Sequence, residues 1–419
     1  MPADRPPTWS RPRRAGQLGW IGRASLHFVL AGTACTASAD PPTAAVSATD
    51  GDLGPAAPSR GRVITSLETP PSRADPTRPT ARTIETRDRP PVLGFAEVVA
   101  RLSPSVVGVL ARMESDPVVH ESGPHRPAGA TRSPRTGIGS GLIVGDGRQI
   151  LTNYHVVAKA TSLAIAFADQ QATPARLLAG DALVDLALLE LDADVPPRAP
   201  VHFATEAPRP GDAILAIGQP FGLGNTVTAG IVSGLGRDHE DLGRPRDLPA
   251  HGYWSFIQTD ASINIGNSGG PLADPTGHVV GITTAVRRDG QGLAFAVPAA
   301  MAQRFLDEAR LYGRLRHVRL GMRAENVTIE AVPTRASTVR VTYVDPNGPA
   351  DQAGMRPGDL VVKVDDHGIA RVSQLAYLAQ LRGVGASVAL TVEREGQTQR
   401  LSLALAQAHD AAPAPRAAP

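Results

Sequence analysis

Apolar residues in the middle of the chain form short runs that glycine, proline, asparagine and aspartate separate. The runs are β-branched or alternate apolar with polar residues, and both patterns predict strands. Long helices do not alternate with them, so the pattern favours antiparallel barrels or sandwiches over a parallel sheet with crossover helices. The predicted strands are Ser105–Leu110, Gly141–Val144, Leu163–Phe167, Ala175–Ala179, Leu186–Leu191, Ala213–Ile217, Val227–Leu235, Ser255–Thr259, Val279–Ala285 and Leu293–Val297.

Helical spacing of apolar residues occurs at only a few places. The first predicted helix starts near Phe95 and ends at Pro104, and a second spans Ala299–Tyr312 with Gly313 as its stop. A third, Gln374–Leu381, follows Ser373, which we expect to cap it. The buried face of the second helix is predicted to carry Met301, Phe305, Ala309 and Tyr312.

These elements divide the chain into regions of different character. We predict a leader over residues 1–39, a disordered Pro/Thr-rich linker over 40–92, a mainly β domain over 93–312, a small α+β domain over 313–407 and a disordered tail over 408–419. The linker is expected to be disordered because its Pro, Thr, Ala, Ser, Arg and Asp residues cannot bury enough apolar surface to offset chain entropy. Two polar insertions, Met113–Arg135 and Asp238–Gly252, are expected to form surface loops.

The leader has the features of an export signal. A stretch of arginines precedes the small and apolar run Ala24–Thr36, and Ala37-Ser38-Ala39 offers a cleavage site. His27 weakens the apolar run, and a disordered basic leader is the alternative. The residues around Cys35 also faintly resemble a lipoprotein signal, so membrane attachment through a lipid at Cys35 is a second alternative to a cleaved signal.

Composition excludes several classes of function. The chain has 419 residues and a formal net charge of +2, and this balance argues against nucleic acid as the main partner. Its one cysteine, Cys35, lies in the leader, which excludes an internal disulfide, a cysteine nucleophile and a cysteine-based metal site. Covalent catalysis would therefore use a hydroxyl or an amine, and we predict neither a cofactor nor a metal.

Ser268 stands in the segment Gly266-Asn267-Ser268-Gly269-Gly270-Pro271-Leu272. Glycines this close to a serine favour a tight turn that exposes Oγ and points consecutive N–H groups one way, as a developing oxyanion requires. Glycine-rich turns with serine are also common in β proteins. The segment alone therefore does not establish a nucleophile.

A serine hydroxyl needs a base, and the base needs a carboxylate that holds its tautomer. Among the 11 histidines, His155 stands at the end of an apolar strand, whereas most others lie in polar loops or near the termini. Asp185 interrupts the apolar run Leu183–Leu189, where a buried carboxylate is costly unless it is paired. Asp260 is the competing acid, and we interpret it as structural.

The order His155, Asp185, Ser268 is that of chymotrypsin-like enzymes and differs from the subtilisin and α/β-hydrolase orders. At this point the chain resembles the HtrA/Deg family of trimeric serine proteases with PDZ domains. The resemblance implies a mainly β fold, with a two-barrel chymotrypsin-like protease domain at 93–312 and a small α+β PDZ domain at 313–407. It extends from Phe95 to Leu405 and rests on Gly139–Val157, Asp181–Leu189, Gly218–Arg237 and Phe256–Leu272.

The resemblance also implies an oxyanion hole, formed by the N–H groups of Gly266 and Ser268 with Asn267 between them. Ser262, together with the following-strand residues Thr283, Thr284 and Ala285, implies a small or medium apolar S1 pocket. The chain departs from the family pattern at Ile265, Gln219 and Val184, where the family usually has Pro, Asn and Thr. Ile265 borders the oxyanion turn and could alter its resting conformation.

The C-terminal region is similar to a PDZ module. Asn347-Gly348-Pro349-Ala350 and Ala353–Asp359 fit the PDZ pattern, with a generic α+β domain as the alternative. Arg319-Leu320-Gly321-Met322 matches the loop that takes the C-terminus of a peptide, which then adds as a strand.

The leading interpretation is a serine endopeptidase that acts on unfolded or misfolded proteins of the cell envelope or periplasm and is regulated by C-terminal peptides at the PDZ domain. The resemblance implies a homotrimer. A catalytically silent peptide-binding sensor or chaperone and a processing protease with one native substrate are the alternatives.

Overall fold

A computed structural model describes residues 94–113, 135–169, 171–192, 194–219, 224–243, 245, 248–264, 266–286, 292–330 and 335–408. The predicted leader with Cys35, the 40–92 linker, the interior of the first insertion and the tail after Ala408 lie outside these residues. Ile265 and the segment 220–223 do so as well.

The first half of the mainly β region before Gly313 is a closed six-stranded antiparallel barrel with the strand order β1-β2-β3-β6-β5-β4. β-branched and leucine residues fill its interior, among them Val107, Ile143 and Ile165, which are fully buried. The strands are β1 Val106–Met113, β2 Arg135–Val144, β3 Gln149–Thr152, β4 Ser162–Ala166, β5 Ala172–Asp181 and β6 Leu186–Leu191.

A second closed barrel follows, with the order β10-β11-β12-β9-β8-β7. Its own interior cluster includes Ile214, Leu272 and Ala296, and a larger cluster fills the space between the two barrels. The strands are β7 Ala213–Gly218, β8 Thr226–Arg237, β9 Phe256–Thr259, β10 Pro271–Ala273, β11 Val279–Val286 and β12 Ala294–Pro298. The two barrels confirm the predicted chymotrypsin-like architecture.

The helices of this region are α1 Phe95–Leu102, α2 Tyr154–Val157 and α3 Ala299–Tyr312, with a 3₁₀ turn at Ser103–Ser105. Gly313 ends α3 in the left-handed region, with a φ of 70°. The predicted buried face of α3 is wrong at Tyr312, which is 50% exposed and covers the Arg316 guanidinium instead. Tyr312 is the last helical residue, where the helix leaves the barrel surface.

The C-terminal region, as predicted, is a mixed α+β sheet domain with the strand order β14-β15-β16-β18-β19. β14 is therefore an edge strand. The elements are β13 Val318–Arg319, β14 Met322–Glu330, β15 Arg335–Val344, α4 Pro349–Gln352, β16 Leu360–Val364, β17 His367–Gly368, α5 Val372–Arg382, β18 Ser387–Arg394, β19 Gln397–Ala404 and β20 Ala406–Gln407.

Helix α5 begins earlier than predicted, and Ser373 does not cap it. Arg371 is the N-cap residue and makes no side-chain cap hydrogen bond, while Ser373 lies inside the first turn. The Ser373 hydroxyl instead donates to Asp238 Oδ2 at 3.1 Å, on the loop of the second barrel. The hydrogen bond of Ser373 to another part of the chain therefore replaces the cap that the sequence predicts.

The same side of α5, one turn after Ser373, packs on the barrels. Tyr377 is buried in the same cluster as Trp254 and Phe305, although it lies in a helix of the C-terminal domain. Burial raises the pKa of its phenol. The helix thus links the C-terminal sheet with the core between the barrels. No helix in the described ranges is long and apolar enough to cross a membrane.

Candidate active site

His155 is placed by the end of a barrel strand. β3 ends at Thr152, Asn153 turns the chain, and the short helix α2 then carries His155. The first N–H groups of a helix have no partner within it. The N–H of His155 is one of these groups, and it donates to Asp185 Oδ1 at 3.0 Å.

The imidazole and the carboxylate of the predicted pair are in direct contact. Nδ1 of His155 lies 3.0 Å from Oδ1 and 2.9 Å from Oδ2 of Asp185. Asp185 is only 1% exposed. A carboxylate this deeply buried needs several donors, and the hydroxyl of Thr284 provides a further hydrogen bond to Oδ2.

Asp185 adopts an uncommon backbone conformation. Its φ is 54°, in the left-handed region that non-glycine residues seldom occupy. Asn153 supports this conformation, because its Nδ2 donates to the carbonyl oxygen of Asp185 at 2.9 Å. Asn153 stands at the N-cap of α2 yet makes no side-chain cap hydrogen bond there. Such strain at a site persists where its surroundings hold it.

Ser268 lies on the turn that precedes β10, and its hydroxyl donates to the carbonyl oxygen of Thr284 at 3.2 Å. Thr284 therefore contacts both Ser268, through its carbonyl, and Asp185, through its hydroxyl. The competing acid Asp260 lies elsewhere: it is exposed and its Oδ1 accepts the N–H of Ile231 at 2.7 Å. The structure thus brings Asp185, and not Asp260, to His155.

Hydrogen bonds hold the carbonyl oxygens of the Ser268 turn. The hydroxyl of Ser140 donates to Gly266 O at 2.6 Å, and the N–H of Ser140 donates to Ser268 O at 2.7 Å. Asn267 O accepts the Thr283 hydroxyl at 2.5 Å and the N–H of Gly270 at 2.9 Å. In a trans peptide the next N–H points away from the carbonyl. The N–H of Ser268 is therefore turned away from these donors.

Glycine is required at two positions of this turn. Gly266 has a φ of 102° and Gly269 a φ of 87°, and a Cβ on Gly269 would lie 2.1 Å from Ser140 O. Asn267, between them, is 1% exposed, and its N–H donates to Asn264 O at 3.0 Å. The side-chain amide of Asn267 packs against Gly218 at the end of β7.

The residues expected around the S1 pocket have different surroundings. Ser262 is exposed, and its carbonyl accepts the Thr228 hydroxyl at 2.8 Å. Thr283 and Thr284 are buried, and both hydroxyls bond to residues of the site itself. The specificity of this pocket stays a prediction.

The predicted peptide loop Arg319-Leu320-Gly321-Met322 joins β13 to the edge strand β14. Gly321 has a φ of 73°, and a Cβ there would lie 2.6 Å from Pro349 Cδ. Its carbonyl accepts the N–H of Asp345 at 2.8 Å, and the Arg319 guanidinium donates to Asp345 Oδ2 at 2.7 Å. The loop is therefore closely fitted against its own domain. Helix α5 lies beside β14, and the Val372 N–H donates to Asn326 Oδ1 at 2.7 Å.

The loop Asp238–Gly252 contacts the N-terminus of α5. Arg371 forms ion pairs with Asp238, at 3.2 Å, and with Asp241. Burial alone would raise the pKa of Asp241, but the Arg371 hydrogen bond and the N–H of Asp238 lower it below its usual value. Leu242 and Leu248 of this loop are buried. The insertion, expected as a polar surface loop, is in part a packed element.

Sequence reasoning missed the residues that support the site. Thr284 and Ser140 were assigned no such role, and the Asn153 side chain was not considered. Ser140 stands in the segment Gly139–Val157, between two glycines, which was the only signal for it. Within the described part of the chain, no three His, Cys, Asp or Glu side chains are grouped to hold a metal ion.

Two family models match the chain. Residues 139–282 match the trypsin-like peptidase domain, and residues 340–394 match the PDZ domain.

Curated proteins with similar sequences are named as serine proteases. The chain is 34% identical to the putative serine protease HhoB of Synechocystis over 64% of this chain and 66% of that protein. It is 32% identical to a probable periplasmic serine endoprotease DegP-like of Marinomonas, over 74% and 71% of the two chains. It is 31% identical to the putative serine protease HhoA of Synechocystis, over 74% of this chain and 84% of that protein. The chain thus spans about two thirds of HhoB.

Solved structures of HtrA-type proteases have the same fold. The protease AlgW with a decapeptide has a TM-score of 0.55 and 29% identity, over 76% of this chain and 100% of that one. AlgW with a tripeptide has a TM-score of 0.57 and 29% identity, over 76% and 98%.

Proposed function

The chain belongs to the HtrA/Deg family of serine endoproteases that carry a PDZ domain, and from this premise we propose that it hydrolyses peptide bonds in unfolded or misfolded proteins with His155, Asp185 and Ser268 as its triad. The observation that carries the proposal is the contact of the His155 imidazole with Asp185, which is buried and accepts several hydrogen bonds. This pair lies next to the turn that holds Ser268.

In the proposed reaction Ser268 Oγ attacks the carbonyl carbon of the scissile bond while His155 Nε2 accepts the hydroxyl proton. Asp185 holds the Nδ1 proton and stabilises the imidazolium that forms. The amide C–N bond then breaks, and His155 returns the proton to the leaving amine. Water hydrolyses the acyl-enzyme ester by the same steps in reverse, with His155 again as the base.

The developing oxyanion is proposed to lie against the N–H groups of Gly266 and Ser268, with Asn267 between them. The held carbonyls of the turn support this proposal, because they turn the Ser268 N–H away from the barrel. A preorganised donor of this kind stabilises the charge without reorganisation during the reaction.

The PDZ domain is proposed to bind the C-terminus of a peptide at Arg319, Leu320, Gly321 and Met322. The peptide would extend β14, whose edge position leaves one side of the strand open to β-augmentation. Two solved relatives are complexes of the HtrA-type protease AlgW with a decapeptide and with a tripeptide. Binding beside α5 would regulate the protease, since α5 also contacts the loop Asp238–Gly252.

We place the protein in the periplasm or cell envelope, because several curated relatives are named periplasmic endoproteases and the leader has export features. A homotrimer is proposed from the family resemblance. Attachment through a lipid at Cys35 is the alternative to a cleaved leader.

Digestion of a protein in folded and unfolded forms tests the substrate class. We expect the purified chain to cleave reduced, unfolded α-lactalbumin and to leave its folded, calcium-bound form intact, because only an extended segment can lie against Ser268 and His155. Sequencing the new N-termini should give small or medium apolar residues before the cleaved bonds. Poor turnover of unfolded protein, with sharp cleavage of one partner, would instead favour a processing protease. Equal cleavage of both forms would contradict the proposed substrate class.

A C-terminal hydrophobic peptide should raise the rate towards a small unrelated substrate severalfold. Gly321→Leu should abolish this response while basal activity survives, because the new side chain would clash with Pro349. Gly396→Leu is the matched control: its φ of 78° is equally strained, but no atom lies within 4 Å. A full response in the Gly321 variant would place the peptide elsewhere.

A further inference from the structure

The connector between α3 and β13, residues 313–317, contacts the chain segment that precedes Asp185, the proposed catalytic acid. His317 Nε2 lies 2.6 Å from Asp181 Oδ2. The other oxygen of Asp181 accepts the N–H of Leu183 at 2.8 Å. Asp181 ends β5, and the turn that it organises runs directly into Asp185. One carboxylate therefore joins the connector to the backbone of this turn.

Tyr253 makes a second connection between the same two segments. Its N–H donates to Leu183 O at 2.9 Å, and its hydroxyl donates to Val318 O at 3.3 Å. Its ring lies 5.4 Å from the His317 ring, tilted by 39°. Burial, and then the Asp181 charge, raise the pKa of the Tyr253 phenol, which keeps it a neutral donor.

The turn needs such support because Asp185 is strained. Its φ of 54° is unfavourable for a side chain with a Cβ, so the surroundings must hold it there. Asn153 holds the carbonyl of Asp185 from the α2 side. The contacts of Asp181 and Leu183 hold the preceding residues from the connector side. We expect the loss of either support to let the turn shift the Asp185 carboxylate relative to His155.

His317 is itself held by the helix of the PDZ domain. Gln380 on α5 is fully buried, and its Oε1 accepts the N–H of Val318 at 3.0 Å. Its Nε2 donates to Arg316 O at 2.9 Å, so one side chain bonds the backbone on both sides of His317. The carbonyl of His317 accepts the N–H of Ala408 at 2.8 Å. The position of the imidazole therefore depends on α5.

We propose that His317 is a positioning residue for the catalytic acid: through Asp181 it fixes the turn that carries Asp185, and α5 fixes His317 through Gln380. The inference rests on the proposed triad and adds a route between that triad and the PDZ domain. A peptide that binds beside α5 can shift the turn only if it binds the two positions of the helix with different affinities.

Steady-state kinetics with a small peptide substrate test the proposal. His317→Ala should lower kcat about 10- to 100-fold, the cost of a small misplacement of a catalytic group. KM should change little, because His317 is not among the residues proposed to contact the substrate at Ser268. The acid limb of the pH–rate profile should move to lower pH, because a less well held Asp185 stabilises the imidazolium of His155 less.

Two further variants separate positioning from folding. His317→Gln keeps an N–H donor for Asp181. It should therefore restore most of kcat and return the acid limb of the pH–rate profile to its wild-type position. Asp181→Ala removes the acceptor of both His317 and the Leu183 N–H and should lower kcat at least as much as His317→Ala. The double variant should lose little more than Asp181→Ala alone, because the two residues act as one unit. His367→Ala, an exposed histidine on β17, is the matched control and should behave as the wild type.

Wild-type kcat and an unchanged pH–rate profile in both His317→Ala and Asp181→Ala would overturn the inference. A loss of kcat that accompanies a lower unfolding midpoint would also overturn it, if the acid limb of the pH–rate profile stays in place and His317→Gln does not restore kcat. If Ser268→Ala is inactive in the same assays, only the positioning role fails. If Ser268→Ala keeps its turnover, the triad itself fails.

Discussion

Replacing Ser268 by alanine should abolish peptide hydrolysis, with kcat lower by ~10⁶, the usual cost of losing a triad nucleophile. The substitution removes Oγ, the atom that forms the acyl-enzyme bond, and with it the hydrogen bond to Thr284 O at 3.2 Å. The supports of the turn remain, because they involve the carbonyls of residues 266–268 and the side chains of Ser140 and Thr283. Residual hydrolysis would come from the oxyanion donors and substrate binding alone.

The measurement is turnover of a peptide substrate, combined with labelling by a serine-directed fluorophosphonate. We expect the label on the wild type and not on the variant, while the unfolding midpoint and the affinity for a PDZ peptide stay unchanged. Ser233→Ala, an exposed serine on β8, should keep both turnover and label. Near-wild-type turnover in the Ser268 variant would assign the chemistry elsewhere. A wild type that binds peptides but never hydrolyses them would favour the silent sensor.

Local signals made much of this fold and site predictable. The helix at Ala299–Tyr312 and the strand at Leu186–Leu191 have the bounds that their apolar patterns predict. Asp185 was selected over Asp260 because a carboxylate between aliphatic residues must be paired, and the structure places it against His155. In each case the deciding information lies within a few residues of the element.

What the sequence did not indicate depends on partners far along the chain. Strand β10 was missed because it has only three residues and starts with proline, and its pairing with β7 and β11 defines it. The Thr284 hydroxyl reaches Asp185 across 99 residues, and no local pattern marks it. Tyr377 has ordinary helical spacing, yet it is buried among residues of the barrels.

Replacing Asp185 by asparagine should lower kcat about 10⁴-fold while the fold is retained, because the variant selects the wrong tautomer of His155. The two oxygens of Asp185 accept from three groups: the N–H of His155 at Oδ1, the Thr284 hydroxyl at Oδ2, and the imidazole Nδ1. A backbone N–H can only donate, so the amide oxygen of the asparagine must stay at the Oδ1 position. Its NH₂ group then occupies the Oδ2 position.

This orientation decides the state of the imidazole. The Thr284 hydroxyl can rotate and accept from the NH₂ group, but His155 Nδ1 can accept only without its proton. The proton then resides on Nε2, and that nitrogen cannot take the proton of Ser268. Turnover against pH measures the loss, and nitrogen NMR shifts of His155 identify the tautomer. The control is Thr284→Val, which removes one donor without changing the tautomer and should cost far less. Equal losses in the two variants, with Nδ1 still protonated in the asparagine variant, would contradict this account.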